Sequence, residues 1–221
     1  MKYIIMCGGK YDYWTFPKQL TRVLDETIVE RTIRLLRDNG VNDIAISTQD
    51  KRFSGFGVPL LSHENDFAVA GGECSGSWAS GFYPLQEPAC YIFGDVVFSN
   101  EAIKTIVNTE TDDIAFFASA PPFSEKYLKK HAEPFSFKVV NQRRFRAAVN
   151  FVIESTNTGI FDRPPIAWEL WQVLNGESVR DINFYNYVVI NDYTCDIDRP
   201  YEVKNIERAI YDENTNTRLQ R

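Results

Sequence analysis

Apolar positions along the chain follow two spacings, and the spacing separates predicted strands from predicted helices. Short apolar runs, beginning with Tyr3-Ile4-Ile5-Met6, predict buried strands, whereas apolar residues at every third or fourth position predict amphipathic helices. In the first half of the chain these elements alternate, which is typical of βαβ units and a mostly parallel sheet. The predicted strands are residues 3–6, 43–47, 57–61, 90–93 and 113–118, and the predicted helices are residues 26–39, 78–85 and 101–108.

The alternation changes after Pro121-Pro122. Residues 135–140 and 145–149 are short runs of period two on either side of the polar residues 141–144, and this pattern predicts a β-hairpin. The elements predicted farther on are a helix at residues 165–174, a strand at residues 184–190 and a final helix that begins near Pro200.

The composition is that of one globular domain. The 221 residues can form a substantial core and no linker divides them, so we expect one domain over residues 1–212 and a polar tail at residues 213–221. A net charge of −6 provides no basic field for nucleic acid or anionic lipid. The first apolar run stops at Gly8, which is too short for a signal peptide or a membrane span. The four cysteines form no Cys-x-x-Cys pair, which favours a reduced, cytoplasmic protein.

The loop after the first predicted strand carries candidate phosphate chemistry. Gly8 and Gly9 have no Cβ, so the backbone can approach a bulky charged ligand there. Amide groups exposed in such a turn can hold phosphate oxygens, and Lys10 adds positive charge. Lys18 follows Pro17, which fixes the local backbone, and is a second candidate for neutralising a phosphate. An ordinary tight turn is the alternative interpretation of the two glycines.

Two later segments add candidate ligand groups. The glycine- and serine-rich run at residues 71–77, with Gly72 and Ser77, precedes a predicted helix, where free N–H groups can face an oxygen-bearing ligand. A simple helix cap is the alternative. Asp95 follows a buried strand, and the carboxyl ends of strands in α/β sheets form ligand-binding crevices. A turn-forming aspartate is the alternative at that position.

A pair of aspartates lies near the end of the chain. Asp196 and Asp198 are two residues apart, so an extended backbone points both side chains to the same face. Pro200 follows them and opens the final predicted helix. The pair therefore provides two carboxylates beside each other, although Asp198 is also a candidate cap of that helix.

Taken together, these segments resemble the GT-A-like nucleotidyltransferases, which couple a nucleoside triphosphate to a phosphorylated sugar, alditol, choline or similar alcohol. The resemblance rests on Gly8-Gly9, on Pro17-Lys18-Gln19-Leu20 before a helix that opens near Thr27, on the Phe-Gly-Asp-Val run at residues 93–96, and on the Asp-Ile-Asp-x-Pro run at residues 196–200. It covers most of the chain. One departure is visible, because the family's Gly-x-Gly-x-Arg loop is here shorter and has neither the further glycine nor the arginine.

The resemblance implies a three-layer α/β/α, Rossmann-like GT-A fold with a mixed, mostly parallel sheet. It implies a Mg²⁺ ion held by Asp95 and Asp198, with Asp196 as a weaker candidate. The implied phosphate and nucleotide contacts are Gly8, Gly9, Lys10, Lys18, Gly72 and Ser77. Lys10 and Lys18 would also act in catalysis. The resemblance places nucleotide binding in the first half of the chain and acceptor binding at about residues 120–185, where Lys138 and Arg163 are weaker candidates.

The implied activity is transfer of a nucleoside monophosphate with release of pyrophosphate. Ser77 matches a serine of the cytidylyltransferase branch, which favours CTP over UTP, GTP or dTTP. The expected partners are a nucleoside triphosphate and a small phosphorylated acceptor, most of which feed cell-surface polymer synthesis; nucleic acid and membranes are not expected, and the sequence does not specify an oligomeric state. Two alternatives stay open: a GT-A glycosyltransferase that uses a nucleotide-sugar, and a non-catalytic nucleotide or metabolite sensor of the same fold.

Overall fold

A computed structural model describes residues 1–8, 13–62, 78–119, 132–156 and 158–219, with side chains up to residue 212. The strands are β1 (Lys2–Met6), β2 (Arg22–Val23), β3 (Glu26–Thr27), β4 (Ile44–Ser47), β5 (Leu60–Leu61), β6 (Ala89–Phe93), β7 (Val96–Val97), β8 (Ile114–Ser119), β9 (Pro134–Val139), β10 (Val188–Ile190) and β11 (Cys195–Asp196). The α-helices are α1 (Ile28–Asp38), α2 (Asn100–Asn108), α3 (Gln142–Ser155), α4 (Ala167–Asn175) and α5 (Glu202–Leu219). Short 3₁₀ turns lie at Lys18–Leu20, Lys51–Phe53 and Trp78–Gly81.

Within the described residues, a central sheet of seven strands has the order β10-β8-β9-β6-β1-β4-β5. Neighbouring strands are parallel except at β9, which is antiparallel to both β6 and β8. The prediction of an α/β fold with a mostly parallel, mixed sheet is confirmed. The register aligns Met6 of β1 with Ser47 of β4 and Phe93 of β6. The carboxyl ends of three neighbouring strands therefore meet at one edge of the sheet, where ligands of such folds bind.

Helices cover both faces of the sheet, which gives the predicted three layers. Helix α1 contacts α2 on one face, and α3 contacts α4 on the other. The α3–α4 face is packed mainly by aromatic rings. Phe137 stacks on Phe116 with ring centroids 4.5 Å apart, and Phe82 meets Phe145 edge to face at 5.0 Å. Stacked and edge-to-face pairs are the favourable arrangements of aromatic rings, so this face forms a rigid support for the sheet.

The first helix shows how local sequence sets the element boundaries. The Thr27 hydroxyl accepts a hydrogen bond from the Glu30 backbone N–H at 3.2 Å, and the Glu30 carboxylate accepts one from the Thr27 N–H at 2.7 Å. This capping box begins α1 at Ile28, two residues after the predicted start. Gly40 follows the helix with φ of +82°, as expected of a glycine that ends a helix.

The predicted hairpin is wrong in its second half. The strand at residues 135–140 exists as β9, but residues 145–149 lie in α3. The buried residues of α3 are spaced helically, as shown by Phe145, Val149 and Val152. A run of five residues is too short to separate period two from period 3.6. The helix is favoured by its N-cap, because the Asn141 side chain accepts a hydrogen bond from the Arg144 N–H.

Other elements differ from the prediction in length. The helix expected at residues 78–85 is a single 3₁₀ turn, Trp78–Gly81, and the strand expected at residues 184–190 is reduced to Val188–Ile190. The final helix extends to Leu219 and so includes most of the stretch predicted as a polar tail. Among the helices that the structure describes, none has the length and apolar character needed to cross a bilayer.

A β-bulge redirects one aromatic side chain beside the carboxyl edge. The register between β8 and β9 shifts at Phe117 and Ala118, so that Phe135 is an extra residue in β9. Phe137 packs with the aromatic rings of the α3–α4 face. Phe135 packs elsewhere, with its ring centroid 6.2 Å from that of Phe98. The bulge lies next to Pro134, where β9 reaches the edge of the sheet.

The tightest backbone approach in the fold is at Gly94. Its N–H donates to the Met6 carbonyl at 3.0 Å, which fixes the turn between β6 and β7 against the end of β1. A Cβ atom at this position would lie 2.3 Å from the Met6 oxygen and 2.8 Å from the Cys7 sulfur. Both are far inside van der Waals contact, so the turn requires a residue without a Cβ.

We therefore expect Gly94→Ala to lower the free energy of unfolding by at least about 2 kcal/mol, because the added methyl group meets backbone that cannot move aside. Gly81→Ala is the matched control, since its Cβ would be 3.6 Å from the flexible end of Met6. That variant should stay within about 0.5 kcal/mol of the wild type in urea denaturation. Equal stability of Gly94→Ala and the wild type would contradict the close approach.

Candidate active site

A cavity of about 380 Å³ opens at the carboxyl edge of the sheet, where the ends of β1, β4 and β6 meet. One part of its lining is charged and consists of Lys18, Asp95, Asp196 and Asp198. Another part is apolar and consists of Met6, Trp78, Phe93, Pro134 and Ile166. The remaining lining residues are Gly8, Gln19, Ser47, Gly81, Gly94 and Glu133. Residues from both ends of the chain therefore converge on one cleft.

Lys18 is the centre of the charged part. Its side chain is only 9% exposed, and its Nζ lies 2.6 Å from Asp95 Oδ2 and 3.5 Å from Asp198 Oδ1. Burial by itself would lower the pKa of Lys18, but the attraction of Asp95, with smaller contributions from Asp196 and Asp198, outweighs burial and raises the pKa above its usual value. Lys18 therefore keeps its positive charge inside the cleft.

Asp95 is held by the backbone on both sides. Gly94 before it is bonded to the end of β1, and the Asp95 carbonyl accepts a hydrogen bond from the Ile197 N–H at 3.0 Å. The next residues, Val96–Val97, form β7, which pairs antiparallel with β11. This pairing joins the segment that carries Asp95 to the segment that carries Asp196 and Asp198. The two acidic segments are thus neighbours through main-chain bonds, independently of their charges.

The backbone of Asp198 is also fixed on both sides. Its N–H donates to the Glu202 carboxylate at 2.7 Å, and its carbonyl accepts a hydrogen bond from the Trp14 indole N–H at 2.9 Å. The neighbouring Arg199 guanidinium lies 4.0 Å from the centre of the Tyr13 ring, at the distance of a cation–π contact. The loop that leads to Lys18 is therefore attached directly to the segment that carries Asp198.

The predicted residues fall into three groups. The structure brings together Gly8, Lys18, Asp95, Asp196 and Asp198 at one cleft. Lys138 and Arg163 lie elsewhere. The predicted contacts Gly9, Lys10, Gly72 and Ser77 lie outside the described residues.

Lys138 requires a correction. Its Nζ donates hydrogen bonds to the carbonyls of Ile106, Val107 and Thr109 at 3.1, 2.8 and 2.6 Å. A lysine at the carboxyl end of a helix neutralises carbonyl groups that have no partner within the helix. Lys138 therefore stabilises the end of α2, and it does not line the cleft. Its side chain alternates with Phe137 along β9, so it points to the opposite face of the sheet from the α3–α4 rings.

Arg163 also makes a structural contact. Its Nε lies 2.7 Å from the buried carboxylate of Glu169, which accepts a second hydrogen bond from the Ile166 N–H at 2.9 Å. These bonds fix the start of α4, and Ile166 at that start lines the cleft. Arg163 is absent from the described lining, and its connection to the cleft is its contact with Glu169 at the start of α4.

The donor set at the cleft fits a magnesium ion. Mg²⁺ prefers carboxylate oxygens, and proteins usually supply one or two carboxylates while water and substrate phosphates complete the shell. Asp95 and Asp198 present two such groups close enough to contact one nitrogen atom, with Asp196 beside them. In the described part of the chain, no group of three or more His, Cys, Asp or Glu residues is arranged to hold a metal by itself. The arrangement suits an ion that shares its shell with a phosphate-bearing ligand.

Cys7 lies beside the acids but is not suited to nucleophilic chemistry. Burial, with a further contribution from the negative charge of Asp95, raises the pKa of the Cys7 thiol well above its usual value. The thiolate is the reactive form of cysteine, so this group stays an inert thiol.

Comparison with solved structures identifies the architecture. No family model matches the sequence, and no curated protein matches it. A protein from Bacillus anthracis assigned as a glucose-1-phosphate thymidylyltransferase, solved in complex with sucrose, superimposes with a TM-score of 0.61 over 94% of both chains, at 12% sequence identity. The chain shares its fold with this protein. A CTP:phosphocholine cytidylyltransferase from Streptococcus pneumoniae aligns over 95% of this chain and 98% of its own, at 14% identity; its TM-score of 0.49 adds nothing to that assignment.

The sequence patterns did not indicate the roles of Trp14 and Glu202 at this site. Trp14 belongs to an aromatic stretch with Tyr13 and Phe16, to which the sequence gives no role. The Trp14 indole and the Asp198 carbonyl that it contacts are 184 positions apart in the chain, so no local sequence pattern indicates the contact. Glu202 had a usable signal, because an acidic residue in the first turn of a helix is favoured by the free N–H groups there, and its carboxylate accepts here from the Arg199 N–H.

We expect Trp14→Phe to loosen the Asp198 segment while keeping an aromatic ring in place. Loss of one hydrogen bond worth about 1 kcal/mol should speed local opening about fivefold. Amide hydrogen exchange at Asp198 and Arg199, whose N–H groups are bonded to Glu202, measures that opening.

Trp171→Phe is the control for that experiment. It removes another indole hydrogen bond, to the Tyr185 carbonyl at 3.2 Å, which involves neither Asp198 nor Arg199. Exchange at Asp198 should stay unchanged in this variant. If the two variants affect Asp198 equally, or neither does, the Trp14 contact does not hold the segment.

Proposed function

We propose that the protein is a magnesium-dependent nucleotidyltransferase. It transfers a nucleoside monophosphate from a nucleoside triphosphate, with CTP favoured, to a sugar phosphate or related phosphorylated alcohol, and it releases pyrophosphate. The observation that carries the proposal is the convergence of Lys18, Asp95 and Asp198 in one cleft at the carboxyl edge of the sheet. The nucleotidyltransferase fold supports it.

The reaction needs positioning and charge neutralisation more than a protein nucleophile. An oxygen of the acceptor phosphate attacks the α-phosphorus, and the bond from that phosphorus to the bridging oxygen of the β-phosphate breaks. The electron pair of that bond leaves with pyrophosphate. Lys18 neutralises charge that develops on the α-phosphate and on the leaving group. Gly8 lets the backbone approach the phosphate chain, since it has no Cβ.

Asp95 and Asp198 are the residues that would hold the magnesium ion, with Asp196 as a weaker third. When bound, the ion supplies positive charge beside the phosphate oxygens. The main-chain bonds that join the two acidic segments keep the carboxylates in place without reorganisation. Such preorganisation is what makes charged groups effective in catalysis.

The apolar lining has a second role in this proposal. Trp78, Phe93, Pro134 and Ile166 reduce the water in the cleft, and charges interact more strongly where water is excluded. Pro134, Ile166 and Glu133 belong to the 120–185 region and form the side on which we place the acceptor. Cys7, Cys90 and Cys195 are buried and form no disulfide, which agrees with the cytoplasmic location that we propose.

We expect Lys18→Met and Asp95→Asn each to lower the rate of pyrophosphate release about a hundredfold, since loss of a group that acts on developing charge costs about 3 kcal/mol. The assay pairs CTP, UTP, GTP and dTTP with sugar phosphates, alditol phosphates and phosphocholine in the presence of Mg²⁺. Lys51→Met, an exposed lysine outside the cleft, is the control and should react at the wild-type rate.

Two results would overturn the proposal. One is the absence of pyrophosphate release from every pair, with transfer from a nucleotide-sugar instead, which would indicate a glycosyltransferase. The other is an unchanged rate in both cleft variants, because Lys18 and Asp95 would then have no part in the chemistry. Circular dichroism of each variant separates a lost reaction from a lost fold.

A further inference from the structure

Strands β7 and β11 form a two-stranded ribbon that carries the acids of the cleft at one end. Val96 of β7 lies opposite Asp196 of β11 in the antiparallel register. Beyond this pair, at the cleft, the Ile197 N–H donates to the Asp95 carbonyl at 3.0 Å. Each strand is only two residues long, and a ribbon of this size needs support from other elements to keep one position. The position of Asp95 and Asp198 therefore depends on what holds the β7–β11 ribbon.

A buried guanidinium group holds the other end of the β7–β11 ribbon. Arg31 lies in helix α1 and is 8% exposed. Its Nε donates to the Phe98 carbonyl at 2.9 Å, and its Nη2 donates to the Tyr193 hydroxyl at 2.7 Å. Phe98 follows β7 directly, and Tyr193 lies two residues before β11. One side chain thus bonds both strands of the ribbon to the same helix, because the N–H groups of a guanidinium form a rigid fork.

Other side chains join the two strands to each other at this end. The Thr194 hydroxyl accepts a hydrogen bond from the Ser99 N–H at 3.0 Å, and the Ser99 hydroxyl donates to the Asp192 carboxylate. That carboxylate also accepts from the Thr194 N–H at 2.7 Å. These bonds close the ribbon, but none of them reaches α1. Of these polar contacts, those of Arg31 are the ones that connect the ribbon to the helix.

Helix α1 is in turn bonded to the segment that carries Lys18. The Ile28 N–H at the start of α1 donates to the Thr21 carbonyl at 3.0 Å, and the Thr21 N–H donates to the Lys18 carbonyl at 3.0 Å. Arg31 follows Ile28 by three residues, so both contacts lie in the first turn of the helix. The start of α1 therefore connects the segment of Lys18 with the ribbon that carries the acids.

The charge of Arg31 is balanced outside the cleft. Its Nη1 donates to the Glu26 carboxylate at 3.1 Å, and that carboxylate also accepts from Arg34 Nε at 2.9 Å. Arg31 is absent from the described lining of the cleft. Its influence on the site therefore runs through the ribbon and not through contact with a ligand.

We propose that Arg31 is a positioning residue of the candidate active site. It fixes the β7–β11 ribbon against the start of α1 and thereby sets the position of Asp95 and Asp198 relative to Lys18. A site whose charged groups come from three separate segments needs such a support, since catalytic groups must be held to within about 0.5 Å. The role in nucleotidyl transfer rests on the proposed function, whereas the hold on the ribbon is a property of the fold.

The first test removes the Tyr193 hydroxyl and keeps the ring. We expect Tyr193→Phe to speed hydrogen exchange at the Ile197 N–H at least about tenfold, because a hydrogen bond from a charged donor is lost and the ribbon opens more often. The Ile197 N–H is bonded to the Asp95 carbonyl, so its exchange reports the end of the ribbon that carries the acids. Exchange is followed by NMR of the protein without ligands.

Tyr91→Phe is the matched control. Tyr91 is also a buried tyrosine, and its hydroxyl donates to the Tyr83 carbonyl at 2.8 Å. This variant should leave exchange at Ile197 unchanged, although it also loses the hydrogen bond of a buried hydroxyl. Equal acceleration in the two variants, or none in Tyr193→Phe, overturns the inference, since the Arg31 contact would then have no specific hold on the ribbon.

Arg31→Lys separates the fork from the charge. Lysine keeps a positive charge near Glu26, but one ammonium nitrogen cannot replace both Nε and Nη2. We expect exchange at Ile197 to rise at least about tenfold in this variant too. Arg37→Lys is the control on the same helix, because the Arg37 guanidinium donates to the Gly57 carbonyl instead, and its exchange should match the wild type. A wild-type rate in Arg31→Lys would show that charge alone suffices and would overturn the inference. If Arg31→Lys does not fold, the tyrosine variant decides.

Kinetics test the consequence for transfer. With the nucleotide and acceptor pair that the wild type uses, we expect Tyr193→Phe to lower kcat at least about fivefold and to change both KM values by less than about twofold. The acids act on charge that develops during transfer, so their displacement slows the reaction step more than it weakens substrate binding. Tyr91→Phe should keep the wild-type kcat.

The outcomes separate this inference from the proposed function. If the wild type releases pyrophosphate but Tyr193→Phe keeps its kcat or its exchange rate at Ile197, the inference fails and the proposed function stands. If no substrate pair reacts but exchange at Ile197 responds to Tyr193→Phe as expected, the proposed function fails and the hold of Arg31 on the ribbon stands. A lower kcat in Tyr193→Phe together with faster exchange at Ile197 supports both.

Discussion

The candidate site depends on one buried positive charge. Lys18 is nearly inaccessible to water, and a charged amine in that position is tolerated only if acids contact it. Asp95 and Asp198 meet that need from segments about one hundred residues apart in the chain. The ion pairs alone would not hold such distant segments together, because each gains little over hydration in water. Their placement is set by the backbone, and the charges then make use of it.

That backbone arrangement is a short series of hydrogen bonds across the carboxyl edge of the sheet. The Gly94 N–H is bonded to the end of β1, the Asp95 carbonyl to Ile197, and the Asp198 carbonyl to the Trp14 indole. Each bond joins a segment that carries a charged residue to the next one. The close approach at Gly94 comes first in this series, since a side chain there would push the turn before Asp95 away from Met6 and Cys7 at the end of β1. The absence of a side chain at Gly94 is thus a condition for the position of Asp95 beside Lys18.

The sequence predicts this convergence because the alternation of strands and helices indicates a mostly parallel sheet. Lys18 and Asp95 follow parallel strands, and the carboxyl ends of such strands meet at one edge. It does not place Lys138, since the face of β9 to which that side chain points depends on the pairing of β9 with β6 and β8, which no local pattern specifies. The false hairpin has the same origin, because five residues around Phe145 fit both periods. Local patterns therefore predict most of the strands and helices and the edge of the sheet where the site lies. The positions of individual side chains depend on long-range contacts.

Shared architecture and shared chemistry rest here on different observations. At 12% identity, the resemblance to the thymidylyltransferase fold concerns the course of the backbone. The chemistry rests on which groups line the cleft, and the charged groups of the described lining are one lysine and four acids, Asp95, Glu133, Asp196 and Asp198. The loop before Lys18 lacks the arginine that the resemblance to GT-A-like nucleotidyltransferases implies, so in the proposed reaction a triphosphate would meet a single cationic side chain among these described groups. A triphosphate carries several negative charges, and one ammonium group cannot balance them beside four carboxylates. In the proposed reaction, neutralisation at this cleft would therefore come largely from the cation that Asp95 and Asp198 would hold, so the position of these two carboxylates matters as much to the proposed chemistry as the charge of Lys18.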